Sequence, residues 1–276
     1  VVCASTGNTA ASAAAYAARA GIACVVLVPA GGVAAGKFAQ VAAFGARILE
    51  IEGNFDAALR GAIELCRRRP DLRLVNSVNP DRIDGQRTAA FEICDQLGAV
   101  PAAVLLPVGN AGNITAYWRG FCDYHAAGKV SSRPRLFGVQ AEGAAALVED
   151  RDIAEPRTIA SAIRIGRPAS REGAVRAVRE SDGAFWAVSD EALQKARDAL
   201  GALEGVYVEL ASSAPVAALL SDPRRLERLG VSGDIVCILT GNGLKEPDLA
   251  PPPRIARCAA SIEAIAEALD RVTVES

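Results

Sequence analysis

Short apolar runs alternate with longer stretches of helical periodicity along most of the chain, and this alternation predicts β-α-β units around largely parallel sheets. The runs expected as strands are Val1 to Ala4, Ala23 to Val28, Arg47 to Ile51, Leu72 to Val75, Ala103 to Pro107, Arg135 to Val139, Phe185 to Val188 and Ile235 to Leu239. Between them the pattern predicts helices over Thr9 to Ala20, Gly36 to Phe44, Phe55 to Arg68, Gly85 to Leu97, Ile114 to Ala127, Asp190 to Leu203 and Ala214 to Leu220. A further amphipathic helix is expected near Ile262 to Val272, beyond Pro251-Pro252-Pro253. In the helix opened by Ser189-Asp190, the residues Leu193, Ala196, Leu200 and Leu203 fall on one face and leave Lys195 to water. Arg67-Arg68-Arg69 before Pro70 reads as a solvated helix end, where cations favour the negative end of the dipole and proline blocks continuation. Ser131 to Arg135 and Asp150 to Arg157 read as surface loops.

Composition narrows the class. With 276 residues and 51% of them apolar, the chain can bury a substantial core, which excludes disorder. Thirty Lys plus Arg against 32 Asp plus Glu leave a formal charge of −2, so no basic face for nucleic acid or an acidic membrane is expected. No stretch reaches the roughly 20 apolar residues of a membrane span. The single histidine, His125, excludes a multi-histidine metal site. Seven cysteines, widely spaced and without a C-x-x-C pair, read as buried free thiols of a reducing compartment, and a cytoplasmic protein is expected. The chain holds no methionine, even at position 1, and opens on Val1-Val2-Cys3-Ala4 as if in mid-strand; material before Val1 is expected.

Three polar loops follow apolar strands, at the carboxyl edge where open parallel sheets collect ligands. In Ala4-Ser5-Thr6-Gly7-Asn8-Thr9, hydroxyls, an amide and free helix-start N–H groups suit a carboxylate, and the same residue types equally serve as ordinary helix caps. In Gly109-Asn110-Ala111-Gly112-Asn113, two glycines allow positive φ and a nest of inward N–H groups for a phosphate, with a plain strand-to-helix turn as the alternative. The loop matches neither the Walker pattern nor the dinucleotide fingerprint. Leu239-Thr240-Gly241-Asn242-Gly243 places a hydroxyl at a strand tip beside glycines that let a flat ring approach. A neutral hydroxyl facing a ring nitrogen favours its unprotonated form.

In this order, Ser5-Thr6-Gly7-Asn8-Thr9, Gly109 to Asn113 and Thr240 to Gly243 resemble the pyridoxal-phosphate enzymes of the tryptophan-synthase β-like fold (fold type II), and within them the threonine synthases. The likeness continues through Leu74 to Pro80, Gln86 to Ile93 and Pro107 to Gly120, to about Pro247. It implies two α/β lobes of three-layer α/β/α architecture with mainly parallel sheets and the cofactor in the cleft between them. Residues 1–77 would form the smaller lobe, incomplete at its N-terminus, and residues 78–276 the larger. It also implies a homodimer.

By the same resemblance, Asn8 would bond the ring hydroxyl of pyridoxal 5'-phosphate, Gly109, Asn110, Ala111, Gly112 and Asn113 its phosphate, and Thr240 its pyridine nitrogen. Ser5, Thr6 and Thr9 would receive the substrate carboxylate, while Arg82, assisted by Ser77 and Asn110, would take the phosphate of O-phospho-L-homoserine. Arginine's forked donors suit phosphate oxygens better than lysine. The implied reaction removes phosphate from the γ-carbon and adds water at the β-carbon, giving L-threonine. The chain departs from the resemblance in two stretches, Leu210 standing where a proline is usual and Gly31-Gly32-Val33 where charge is usual. It also lacks the lysine motif that carries the Schiff base, which is expected upstream of Val1; Lys37, Lys129, Lys195 and Lys245 have no apolar setting of the kind that activates a lysine. A related lyase acting on another amino acid, serine or threonine, and a short homologue without catalysis stay open as alternatives.

Overall fold

The computed structural model describes residues 1–5, 7–30, 38–77, 79–246, 249 and 255–274. The described strands are β1 (Val2–Ala4), β2 (Val25–Pro29), β3 (Arg47–Ile51), β4 (Ala103–Pro107), β5 (Arg135–Ala141), β6 (Ala184–Val188) and β7 (Ile235–Cys237). The described helices are α1 (Asn8–Ala20), α2 (Ala39–Ala43), α3 (Phe55–Arg68), α4 (Pro80–Gln86), α5 (Thr88–Leu97), α6 (Gly112–Ala126), α7 (Arg171–Glu180), α8 (Asp190–Glu204), α9 (Ala214–Ser221), α10 (Arg225–Arg228) and α11 (Ile262–Val274). Every strand pairing is parallel, in a three-stranded sheet of order β1-β2-β3 and a four-stranded sheet of order β6-β5-β4-β7. The α/β reading with mainly parallel sheets is therefore observed. Residues 1–245 form one compact unit, and residues 246–276, which carry α11, form another.

Burial explains the continuous apolar strands. All of β1 and β4 is buried, as parallel strands covered on both faces require. Phe121, Phe137, Leu105, Leu106, Ile114 and Leu136 are the bulk of the larger core. Against the smaller sheet, α1 presents Ala10, Ala14 and Ala17, spaced four and three apart so that their methyls share one face. Gly21 ends that helix at φ 68, its N–H turned back to the carbonyls of Ala17 and Ala18.

The segment expected as a strand over Leu72 to Val75 makes only a single bridge, Leu74 to Val2. Val2 donates to the Arg73 carbonyl at 2.9 Å and Val75 to the Val2 carbonyl at 2.9 Å. The side chain of Asn76 then takes over. Its Oδ1 accepts from Ala4 N at 2.9 Å and its Nδ2 donates to Ala4 O at 2.7 Å, so a side-chain amide substitutes for the next peptide of the ladder.

The helix expected over Gly85 to Leu97 is two helices, α4 and α5. Asn79 caps α4 through its Oδ1, which accepts from Asp81 N at 2.8 Å, and Pro80 fills the first turn where its missing N–H costs nothing. The start signal stands earlier than apolar periodicity alone indicates. Helix α7 has no counterpart among the expected elements: it buries only Ala174 and Ala177 among charged residues, too small an apolar stripe to register. β7 ends at Cys237 rather than Leu239, although Ile238 still donates to Leu105 O at 2.9 Å. Pro251 to Pro253, Lys37 and the first residues of the helix expected from Gly36 lie outside the described residues.

Asp150 to Arg157 and Ser131 to Pro134 are irregular, as expected, and Arg67, Arg68 and Arg69 sit in water, paired with Glu64 and Asp71. Of the seven thiols, Cys3, Cys24 and Cys94 are buried and Cys66, Cys122 and Cys237 partly so. Cys258 corrects the expectation of burial: it is exposed, on an extended stretch before α11.

Helix α6 crosses α5 at Gly120, where an added Cβ would lie 2.2 Å from the Arg87 carbonyl oxygen. Gly120→Ala is expected to lower stability by about 2 kcal/mol, because a backbone atom must move. Gly201 in α8 has open space around it, and Gly201→Ala is expected to raise stability by about 0.5–1 kcal/mol through helix propensity alone. Urea midpoints of the two variants, falling for the first and rising for the second, check the helix packing.

Candidate functional site

Strands β4 and β7 lie side by side in parallel, with Leu105 level with Cys237, so the loops after them leave the same edge of the sheet. The first of these is residues 109–113. Ala111 caps α6 in the left-handed region at φ 65, and it is this alanine, not either glycine, that turns the loop. Gly109 is bare for another reason: a Cβ there would come within 2.9 Å of the Ala162 carbonyl oxygen. Asn113 staples the loop, its Nδ2 donating to Pro107 O at 2.7 Å and its Oδ1 accepting from Ile114 N at 2.8 Å. Asn110 turns toward the segment before α7, accepting from Ser170 N at 2.9 Å through its carbonyl and from Ala169 N at 3.4 Å through Oδ1.

Among the described residues, the backbone N–H groups of Asn110, Ala111, Gly112 and Asn113 donate to no protein acceptor. They stand in succession at the start of a 15-residue helix, whose dipole adds positive potential there. That is the donor set a phosphate group requires. A Cβ on Gly112 would meet only Ile83 Cδ1, at 3.4 Å.

At the second tip, Thr240 Oγ1 lies 2.8 Å from Ser212 Oγ, which also accepts from Thr240 N at 3.0 Å and Gly241 N at 2.8 Å. Ser212 is wholly buried. Gly241 was expected to let a ring approach; what lies over it is the Glu209 carboxylate, 2.3 Å from where a Cβ would be. Gly243 is likewise covered, by the ring of Tyr207.

The Glu209 carboxylate reaches the third loop. Asn8, first residue of α1, donates through Nδ2 to Glu209 Oε1 at 2.9 Å and Oε2 at 3.0 Å. Two residues 201 apart in sequence are thereby joined, and the Asn8 and Thr240 loops with them. Ser5 Oγ accepts from Gly7 N at 3.2 Å and Ala10 N at 3.3 Å, so of the two readings for this hydroxyl the capping one is seen, with its proton left to donate elsewhere. Thr9 is half-buried, and Thr6 lies outside the described residues.

Arg82, on α4 one residue before the Ile83 that faces Gly112, donates through Nη1 to Ser77 Oγ at 3.2 Å. It is half-buried and forms no ion pair among the described residues. Burial pulls its pKa below the usual guanidinium range, opposed by the Cys3 thiol, while burial foremost pushes that thiol up to about 12, with Cys24 adding to the rise and Arg82 opposing it. A desolvated cation without a counter-charge is a place for an anionic ligand. Lys129 and Lys195 are exposed and Lys245 is half-buried, so none of the described lysines is buried. No cluster of metal-binding side chains exists among the described residues, and no described helix is long and apolar enough to cross a membrane.

Two residues that hold this site together, Glu209 and Ser212, were not legible as such. The signal was there: a carboxylate and two serines inside the otherwise apolar run from Val206 to Val216 need partners if that run is buried.

A model of the pyridoxal-phosphate-dependent enzyme family matches residues 1–241. The threonine synthase of Mycobacterium bovis is 54% identical over 252 residues, which cover 91% of this chain and 69% of that protein. That of Bacillus sp. strain ULM1 is 52% identical over 250 residues, 91% of this chain and 70% of that protein. Among solved structures, a threonine deaminase from T.th. superposes with a TM-score of 0.72 at 25% identity, covering 91% of this chain and 78% of that one. The amides of residues 110–113, unpaired among the described residues, the hydroxyl at the strand tip and the half-buried Arg82 suit a phosphorylated ring and a phosphorylated substrate, and the chain belongs to the pyridoxal-phosphate-dependent enzymes and, within them, to the threonine synthases.

Proposed function

We propose that this chain carries the cofactor and substrate sites of an enzyme that converts O-phospho-L-homoserine and water to L-threonine and phosphate. The observation that carries the reading is the pairing of two candidate anion sites: among the described residues, the amides of residues 110–113 have no acceptor and Arg82 has no counter-charge. A reaction with a phosphorylated cofactor and a phosphorylated substrate needs both. When bound, pyridoxal phosphate supplies the electron sink for proton removal next to the substrate's amino group.

The chain's own residues supply placement. The amides of Asn110 to Asn113, together with the Gly109 backbone, take the cofactor phosphate, and Asn8 takes the ring hydroxyl. Arg82, oriented by Ser77 and assisted by Asn110, would take the substrate phosphate; Ser5, with its free proton, Thr6 and Thr9 would take the carboxylate. Thr240 faces the ring nitrogen, and the hydrogen-bond count sets which way its proton points. Both lone pairs of Ser212 Oγ are filled by backbone N–H groups, so its own proton goes to Thr240 Oγ1. Thr240 is left to donate outward, and a donor there favours a ring nitrogen that carries no proton. Free thiols suit a reducing compartment such as the cytoplasm, and the family likeness supports a homodimer.

Assayed on the complete gene product, activity on O-phospho-L-homoserine far above that on serine or threonine is expected, and the reverse order would assign the chain to a different lyase reaction. Arg82→Ala is expected to raise KM for the phosphorylated substrate by about tenfold or more with cofactor content unchanged, and Arg82→Lys to recover part of the loss. Loss of cofactor in Arg82→Ala would move that residue to the cofactor phosphate. Ser212→Ala strands two backbone N–H groups and is expected to cost about 2 kcal/mol in urea unfolding. Thr240→Asp is expected to protonate the ring nitrogen, changing the visible absorbance of the bound cofactor and the ratio of products.

A further inference from the structure

Glu209 is a carboxylate with only 4% of its surface exposed, and the fold goes to some length to admit it. Its own N–H donates to Gly241 O at 3.0 Å, and its carbonyl accepts from Ser212 N at 2.9 Å, which fixes its backbone. Its side chain then lies across Gly241, where a Cβ would be 2.3 Å from Oε1. Among the groups it meets is the Nδ2 of Asn8, at 2.9 and 3.0 Å from the two oxygens.

Two consequences follow from elementary geometry. Both oxygens of Glu209 accept from the nitrogen end of the Asn8 amide, which therefore faces them. The two oxygens of one carboxylate also lie too close together to take both of the diverging N–H bonds of one nitrogen. One N–H is shared between them, and the second has no acceptor among the described residues. Asn8 is exposed at the start of α1, where an asparagine side chain would otherwise rotate freely.

We propose that Glu209 is a positioning residue of the cofactor site, which pins the Asn8 amide through one N–H so that the other meets the ring hydroxyl oxygen of pyridoxal phosphate. The inference rests on the reading that Asn8 faces that oxygen. It makes Glu209 the part that sets the spacing between the Asn8 loop and the Thr240 loop, because the same carboxylate touches both. A free amide could turn its oxygen to the ring and repel it; the buried carboxylate removes that orientation.

The test uses the full chain and 4-deoxypyridoxine 5'-phosphate, which keeps the phosphate, ring nitrogen and ring hydroxyl but has no aldehyde. The matching compound without the ring hydroxyl is the control, and titration calorimetry reads both. Glu209→Ala is expected to weaken the first compound by about tenfold, the size of one charge-assisted hydrogen bond, and to leave the control unchanged. Asn8→Ala should do the same, and the double variant should be no weaker than either single one. Glu209→Gln keeps an acceptor for the same N–H and should restore most of the affinity. Gly241→Ala, whose Cβ displaces the carboxylate without deleting it, should reproduce the loss if Glu209→Ala does not fold. Equal weakening of both compounds by Glu209→Ala would reduce Glu209 to a structural role and overturn the inference. An Asn8→Ala loss confined to the first compound, with Glu209→Ala and Gly241→Ala silent, would overturn it while leaving the assignment of Asn8 standing. If Asn8→Ala itself fails to distinguish the two compounds, the assignment of Asn8 falls and the role of Glu209 with it.

Discussion

A peptide N–H in the first turn of a helix has no partner within that helix, and among the described residues those of Ala111, Gly112 and Asn113 stay unanswered at the start of α6, with that of Asn110 just before them. Everything else about the site is arranged around that row of donors. Parallel pairing puts the β7 loop at the same edge. The left-handed Ala111 gives the loop its turn at a cost of about 1 kcal/mol, strain that the flanking helix and the Asn113 staple hold in place. The glycines that look like concessions to a ligand are mostly concessions to the protein: Gly109 to the carbonyl of Ala162, Gly241 to Glu209, Gly243 to Tyr207.

That reversal shows how far the sequence could be read. Strands β3 and β4 and helix α3 were legible to the residue, because their apolar runs are long and bounded by turn chemistry. The loops bearing Asn8, residues 109–113 and Thr240 were legible from residue types that recur at strand tips. What stayed hidden depends on contacts between distant segments. The Asn76 amide replaces a strand by pairing with Ala4, 72 residues away, and nothing local marks it. Glu209 and Ser212 gain their roles from Asn8 and Thr240, and no periodicity carries that information. Helix α7 was missed because alanines bury little surface.

Charge is handled differently in the two proposed anion sites. At residues 110–113 neutral backbone would face the ligand, so selectivity would rest on geometry. At Arg82 it is a formal charge partly withdrawn from water, held by a single neutral hydroxyl and faced by a thiol that burial keeps protonated. The first arrangement suits a group that stays bound; the second suits one that enters and leaves, because no carboxylate has to be displaced each time.

The amide of Asn76 has a consequence outside the site. It satisfies both peptide groups of Ala4 with a side chain, so that peptide is closed to a further strand. Among the described strands the opposite margin is β3, five residues long, where Arg47 and Glu50 are exposed together with Leu49. On the β1 flank the amide of Asn76 thus stands in for a peptide, and the backbone of Ala4 has nothing left over for a stray strand to copy.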